Sequence, residues 1–266
     1  MDRLILPADT SPKDTRWQFP IKALTKAMQA TEDTDGPFSI ERHRLSMHYD
    51  RALYELSDGN LINVTIASAN KRWDQRAIPV CVPIFRGLKS YRLLLVNSHS
   101  LHSFHDIRTL EDLRPCRAGV VYQWATENIL DKAGCKLVRA STYEGLFSML
   151  AARRFDYIPR AVSDIYREIE IRTKKNPDLR VEPTLALYIP NPQYFYVAPA
   201  FPRLADRIRR GMGIIAANGT QERIFHEAFD EAIRRADLNH RRIIRIENPD
   251  LPEDIPPDDP ILRIRP

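Results

Sequence analysis

No run of about 18 apolar residues occurs in the 266-residue chain, so no membrane-spanning helix is expected. Cysteine is scarce: Cys81, Cys116 and Cys135 are the three, and none belongs to a CxxC pair. No His/Cys cluster has metal-ligand spacing. His99, His102 and His105 recur every third residue in "NSHSLHSFHD", but the Ser- and Asn-rich segment reads as a loop, and neither a metal nor a cofactor is expected. There is no GxSxG elbow to present a nucleophilic serine. A large excess of one charge is also missing. Lys and Arg number 40 against 35 Asp and Glu, a net charge of +5. A nucleic-acid binder would concentrate more positive charge on one motif, so no nucleic-acid partner is expected. The N-terminal "MDRLILPADTSPKD" offers only Leu4 to Pro7 as an apolar run, too short for a secretory signal. Two readings follow: a cytoplasmic chain, or an exported one whose signal was removed and replaced by Met1.

What is present is ordinary globular composition, 43% hydrophobic and 28% charged, in a length that suits one large domain or two of common size. "RLILP" reads as a strand. "FPIKALTKAMQA" carries Phe19, Ala23, Leu24, Ala27 and Met28 at helical spacing. "PFSIERHRLSM" reads as a strand, and "YDRALYEL" as a helix stopped by Gly59. The β-branched "LINVTIA" is a buried strand. The next thirty or so residues show no helical period until a strand over Tyr91 to Val96, and Ser98 to Arg108 reads as loop. A second alternation follows: "RAGVVY", "CKLVRA" and "FDYI" as strands, with "ATENILDKAG", "TYEGLFSMLAA" and "AVSDIYREIEIRTKK" as helices. "LALYI" and "YFYVA" are strand-like. Two helices close the pattern, one with Leu204, Ile208, Met212 and Ile215 on a face, the other over "QERIFHEAFDEAIRRA". Strands alternating with helices imply an α/β fold with a mostly parallel sheet. Pro249, Pro252, Pro256, Pro257, Pro260 and Pro266 make the last twenty residues an extended tail.

Four stretches, in order, resemble the type II periplasmic solute-binding proteins, and among them the amino-acid-type (family 3) substrate-binding proteins of ABC transporters. They are "GNLINVTIASANKRWDQRAIPV", "TLEDLRPCRAGVVYQWATENIL", "YEGLFSMLAARRFDYIPR" and "PRLADRIRRGMGIIAANGTQERIF". The resemblance covers residues 3 to 236. It implies a two-lobed α/β fold with two hinge crossings: residues 1–96 as the first part of lobe 1, 97–197 as lobe 2, 198–246 as lobe 1 return helices, and 247–266 as a proline-rich tail. It further implies a ligand cleft between lobes that closes by a hinge motion.

The resemblance puts Arg72 in the position of an arginine that clamps a ligand carboxylate, for which a planar guanidinium is suited. The plain alternative is a solvated loop arginine. Ser68 and Asn70 supply polar neighbours. Gln123, Trp124 and Thr126 occupy the strand-to-helix turn of the second lobe, where helix amides can receive an anion. Trp124 is either a wall of the site or a packing residue. "FDYIPR" puts Pro159 and Arg160 where amino-acid binders carry an aspartate for the ligand's ammonium. Arg160 then binds a second anionic group, pairs with an acid of lobe 1, or is solvated. The expected role is an extracytoplasmic, periplasmic binding protein, monomeric and not an enzyme, capturing a small anionic or polar ligand for an ABC transporter membrane component. The alternatives are a ligand-sensing input protein or a dehydratase-like enzyme, for which Asp74, Glu127 and Asp164 are the nearest acids. A Cys116–Cys135 disulfide is the one internal argument for export: neighbouring parallel strands would bring the two residues side by side. Cys81 is expected to be buried.

Overall fold

A computed structural model describes residues 1–9 and 16–253. In chain order the elements begin with β1 (Asp2–Ala8), α1 (Gln18–Gln29), α2 (Glu32–Asp35), β2 (Phe38–Ser46), α3 (Tyr49–Asp58), β3 (Val64–Ser68), α4 (Lys71–Asp74) and β4 (Ile78–Val80). There follow β5 (Tyr91–Asn97), α5 (Leu110–Leu113), β6 (Arg117–Val121), α6 (Ala125–Lys132), β7 (Lys136–Ala140), α7 (Tyr143–Ala151), β8 (Tyr157–Ala161) and α8 (Val162–Arg172). The last are β9 (Leu179–Tyr188), β10 (Gln193–Val197), α9 (Pro202–Ala217), α10 (Thr220–Ala236) and β11 (Arg242–Arg245).

The described chain divides into two compact units. One comprises Met1–Phe85, Pro192–Asp230 and Leu251–Glu253; the other comprises Arg86–Asn191 and Glu231–Asp250. In the first unit β1 and β2 pair in parallel, and β10 lies between β3 and β4, antiparallel to both. Asn63, just before β3, holds the two sheets together: its Oδ1 accepts from Ile5 N at 2.7 Å and its Nδ2 donates to Arg3 O at 2.7 Å. The apolar face read from "FPIKALTKAMQA" is the buried face of α1. It meets α9 so closely that a Cβ on Gly211 would sit 2.2 Å from Ala27 O, which is why glycine occupies that turn. Phe19 packs on Phe85 and Phe229 with ring centroids 5.4 and 4.8 Å apart. Gly59 stops α3 in the left-handed region, φ 74°.

The second unit is built on a six-stranded sheet of order β11-β9-β5-β8-β6-β7. β6 pairs in parallel with β7 and β8, and β9 with β11, whereas β5 runs antiparallel to both β8 and β9. The sheet is therefore mixed where alternation alone predicts mostly parallel strands. Antiparallel direction leaves no mark on the burial pattern of a strand covered on both faces. Tyr91–Asn97, expected to end the first lobe, belongs to this sheet, and the units divide between Phe85 and Arg86. Ser98–Phe104, read as loop, is a 3₁₀ helix. Asn97 caps it by accepting from His99 N at 3.1 Å, and Phe104 anchors it in the core with Leu94, Val96, Leu113, Val120 and Leu187.

β6 and β7 are neighbours with Arg117 opposite Lys136, as the disulfide argument required, yet all three cysteines are free. Cys135 is buried and Cys116 packs against the same core, both as small apolar groups, while Cys81 is exposed rather than buried. Burial raises the pKa of each of the three thiols. Of the expected proline-rich tail, residues 254–266 lie outside the described residues; residues 247–253 form neither helix nor strand. Among the described residues no helix is long and apolar enough to cross a membrane.

Candidate functional site

In the first unit, Ser68, Asn70 and Arg72 come together where β3 runs into α4. Ser68 closes the strand and is buried, paired in register with Gln193 of β10. Asn70 is the N-cap of α4: its Oδ1 accepts from Trp73 N at 3.1 Å, and its Nδ2 donates to Tyr49 Oη at 2.7 Å and Ser68 O at 3.0 Å. The side chain expected to offer polar contacts is thus spent on the turn. What the cap secures is the next residues. Trp73 is buried between Tyr49 and Tyr196, at centroid distances of 4.9 and 5.2 Å, and Tyr196 Oη donates to Asp74 Oδ1 at 2.8 Å. Burial, then the bond to Asp74, pushes the Tyr196 phenol far up from its ordinary pKa. Arg72 stands on this rigid base. Its side chain is 53% exposed and donates to Asp50 Oδ1 at 2.5 Å.

In the second unit, Gln123, Trp124 and Thr126 occupy the turn from β6 into α6. Gln123 adopts φ 68°, a left-handed conformation that costs a glutamine energy and marks the turn as constrained. Its amide N–H, expected to face a ligand anion, donates to Glu127 Oε2 at 2.7 Å. Glu127 in turn accepts from Arg139 at 2.6 Å. Trp124 precedes α6, and Thr126 is buried in its first turn.

Arg160 joins this set, and its protein partner is an acid of its own unit rather than an acid of lobe 1 or solvent. It lies inside β8, 4% exposed, and its Nε donates to Glu168 Oε2 at 2.7 Å while Nη2 donates to Oε1 of the same carboxylate. Tyr143 Oη donates to Glu168 Oε1 at 2.5 Å. The guanidinium lies 4.8 Å from the Trp124 ring and 5.7 Å from that of Tyr143. Burial alone would depress the pKa of Arg160, but the charge and hydrogen bonds of Glu168 raise it above its ordinary value. Glu168 therefore neutralises Arg160 from within the same unit. Trp124 is drawn to the site as the lid on that pair. Glu168 escaped the sequence reading, although a signal existed: it falls among the inward positions of α8 with Val162, Ile165 and Tyr166.

No protein-family model and no curated protein matches the chain. Solved structures do. An ancestral arginine-binding protein bound to arginine aligns over 86% of this chain and 99% of its own at TM-score 0.63 and 18% identity. A histidine kinase sensor domain with similarity to periplasmic binding proteins aligns over 85% and 95% at TM-score 0.61 and 18% identity. The substrate-binding protein of an amino acid ABC transporter aligns over 86% and 99% at TM-score 0.57 and 14% identity. The chain has a periplasmic-binding-protein fold.

On a periplasmic-binding-protein fold the ends of strands that run into helices are the places to look for ligand groups, and both residue sets described above lie there. The three acids considered for catalysis are all committed. Asp74 accepts from Tyr196, Glu127 from Gln123 and Arg139, and Asp164 from Lys89 Nζ at 2.8 Å to each carboxylate oxygen. Among the described residues no group of three or more His, Cys, Asp or Glu could hold a metal ion.

Proposed function

We propose that the chain is an extracytoplasmic solute-binding protein that captures a small anionic or polar molecule for ABC import. Arg72 carries this reading. It is a half-exposed guanidinium, held just past the end of β3 where Asn70 caps the turn, and its side-chain partner among the described residues is Asp50, an exposed carboxylate that a ligand could displace. A carboxylate-bearing ligand would meet it with two parallel bonds. The fold supports the reading, since a likeness running over nearly the whole length of amino-acid-binding proteins leaves the binding architecture complete. Closure of the two units on the ligand is part of the proposal. The ligand need not be a standard α-amino acid, because Glu168, the acid beside Arg160 at the end of β8, is already bonded to that arginine rather than free for an ammonium group.

A ligand-sensing input protein is the second reading, favoured by the likeness to a histidine kinase sensor domain. A dehydratase-like enzyme is the weaker one, because Asp74, Glu127 and Asp164 each already hold hydrogen-bond partners. A thermal-shift screen with small carboxylic acids, amino acids and their derivatives tests the proposal. A ligand at one hundred times its Kd adds about 2.7 kcal/mol of stability. Wild-type protein that none of these compounds stabilises would reject it.

A further inference from the structure

One buried cation in the second unit has no partner. Arg92 is the second residue of β5, is 6% exposed, and its Nε has no hydrogen-bond partner. Among the described residues its guanidinium makes no hydrogen bond, ion pair or ring contact. In register Arg92 faces Ala161, the last residue of β8, while the next residue, Leu93, faces Arg160. The two arginines thus leave opposite faces of the sheet at one end of its two middle strands, where β8 runs into the eleven-residue helix α8. Lys89 and Arg160, at the same end, do hold carboxylates. Lys89 holds Asp164 through both carboxylate oxygens at 2.8 Å, and Arg160 holds Glu168. Burial first and the Arg160 charge second depress the Arg92 pKa to about 10, with Asp164 opposing. A guanidinium keeps its charge at neutral pH even there, so the charge persists with no carboxylate bonded to it. Buried charges are otherwise paired or bound to an ion.

We propose that Arg92 is a second anion-binding residue of this protein, receiving a carboxylate group of the ligand where β8 runs into α8. The inference rests on the solute-binding reading but not on Arg72, which lies in the other unit. It makes the ligand an acid whose carboxylate would partner the Arg92 guanidinium. It also explains how the chain keeps an arginine inside a sheet with no carboxylate bonded to it: the missing partner arrives with the ligand.

The test uses wild type, Arg92→Met and Arg92→Lys, each titrated with acetate, succinate, L-glutamate and L-arginine by calorimetry and by thermal shift. In probe-free buffer Arg92→Met should melt higher than wild type, because the uncompensated charge is gone and the apolar stem is kept. At least one of the four probes should bind wild type, bind Arg92→Met roughly tenfold or more weakly, and bind Arg92→Lys with intermediate affinity. Equal affinity of every bound probe for wild type and Arg92→Met overturns the role of Arg92 and leaves the solute-binding reading standing. If no probe binds wild type, both fall together.

Discussion

Removal of the Glu168 carboxylate is the sharpest test of how the second unit is held together. In Glu168→Ala the Arg160 guanidinium loses both of its hydrogen bonds to Glu168, and Tyr143 loses the acceptor of its hydroxyl. Both ionic partners are only 4% exposed, so water cannot replace what is lost. Breaking a buried pair by removing one member costs about 3–5 kcal/mol. At about 2–4 °C per kcal/mol for a chain of this size, the melting temperature should drop by roughly 6–20 °C. Urea denaturation followed by circular dichroism measures the loss directly. The paired substitution Arg160→Met with Glu168→Leu should recover most of it, because burying apolar groups of similar volume in place of an ion pair is close to neutral. A loss in Glu168→Ala below about 1 kcal/mol, the size expected of a solvated pair, would refute the arrangement. So would an Arg160→Met variant of wild-type stability that had lost ligand binding, since Arg160 would then be a ligand group after all.

Arg72→Ala should weaken ligand binding by about 1.5–3 kcal/mol, read by calorimetry, while urea unfolding changes by less than about 1 kcal/mol because the Asp50 pair is exposed. Asn70→Ala removes the α4 cap and should cost about 1–2 kcal/mol of stability in the same denaturation assay; an unchanged midpoint would show that the cap is idle. Gly211→Ala drives a methyl group into the Ala27 carbonyl, and thermal melting should report a loss of about 1–3 kcal/mol or more from forced separation of α1 and α9. Asp156 accepts from Arg117 N at 2.7 Å and from Arg117 Nη2 at 2.9 Å. Burial pushes its pKa up, but the Arg117 bonds outweigh that and hold it below its ordinary value. Its folded pKa lies under its unfolded one, so its contribution is present above about pH 4 and is lost as pH falls further. Asp156→Asn should flatten that part of the acid limb in urea midpoints; an unchanged limb would count against the pairing.

Much of the architecture was legible because apolar periodicity survives in single elements. The faces of α1, α7 and α9 and the strands β1, β3 and β6 fall where Phe19, Leu146, Leu204 and the β-branched runs put them. Strand direction was not legible, and β5 is the example: a strand covered on both faces reads the same in either orientation. The local placement of the candidate residues was legible, their hydrogen-bond partners less so. Asn70 and Arg72 do meet at the end of β3, but which polar group caps the turn depends on Trp73 N and Tyr49, and no spacing rule names them together. Arg160 was singled out for its place at the end of a strand. Its partner lies eight residues on, across a strand-to-helix junction, where neither the twofold nor the 3.6-residue period applies. Arg92 went unremarked for the opposite reason. What distinguishes it is a missing partner, and only coordinates reveal one.

The central claim is that this chain binds a small acidic or polar solute and returns it unchanged. Isothermal titration calorimetry of the wild type with the best stabilising compound from the thermal-shift screen, followed by NMR of the recovered compound, tests both parts at once. We predict saturable binding of one molecule per chain and recovery of an unaltered compound. No saturable heat with any compound would contradict the claim, and so would recovery of a chemically converted product.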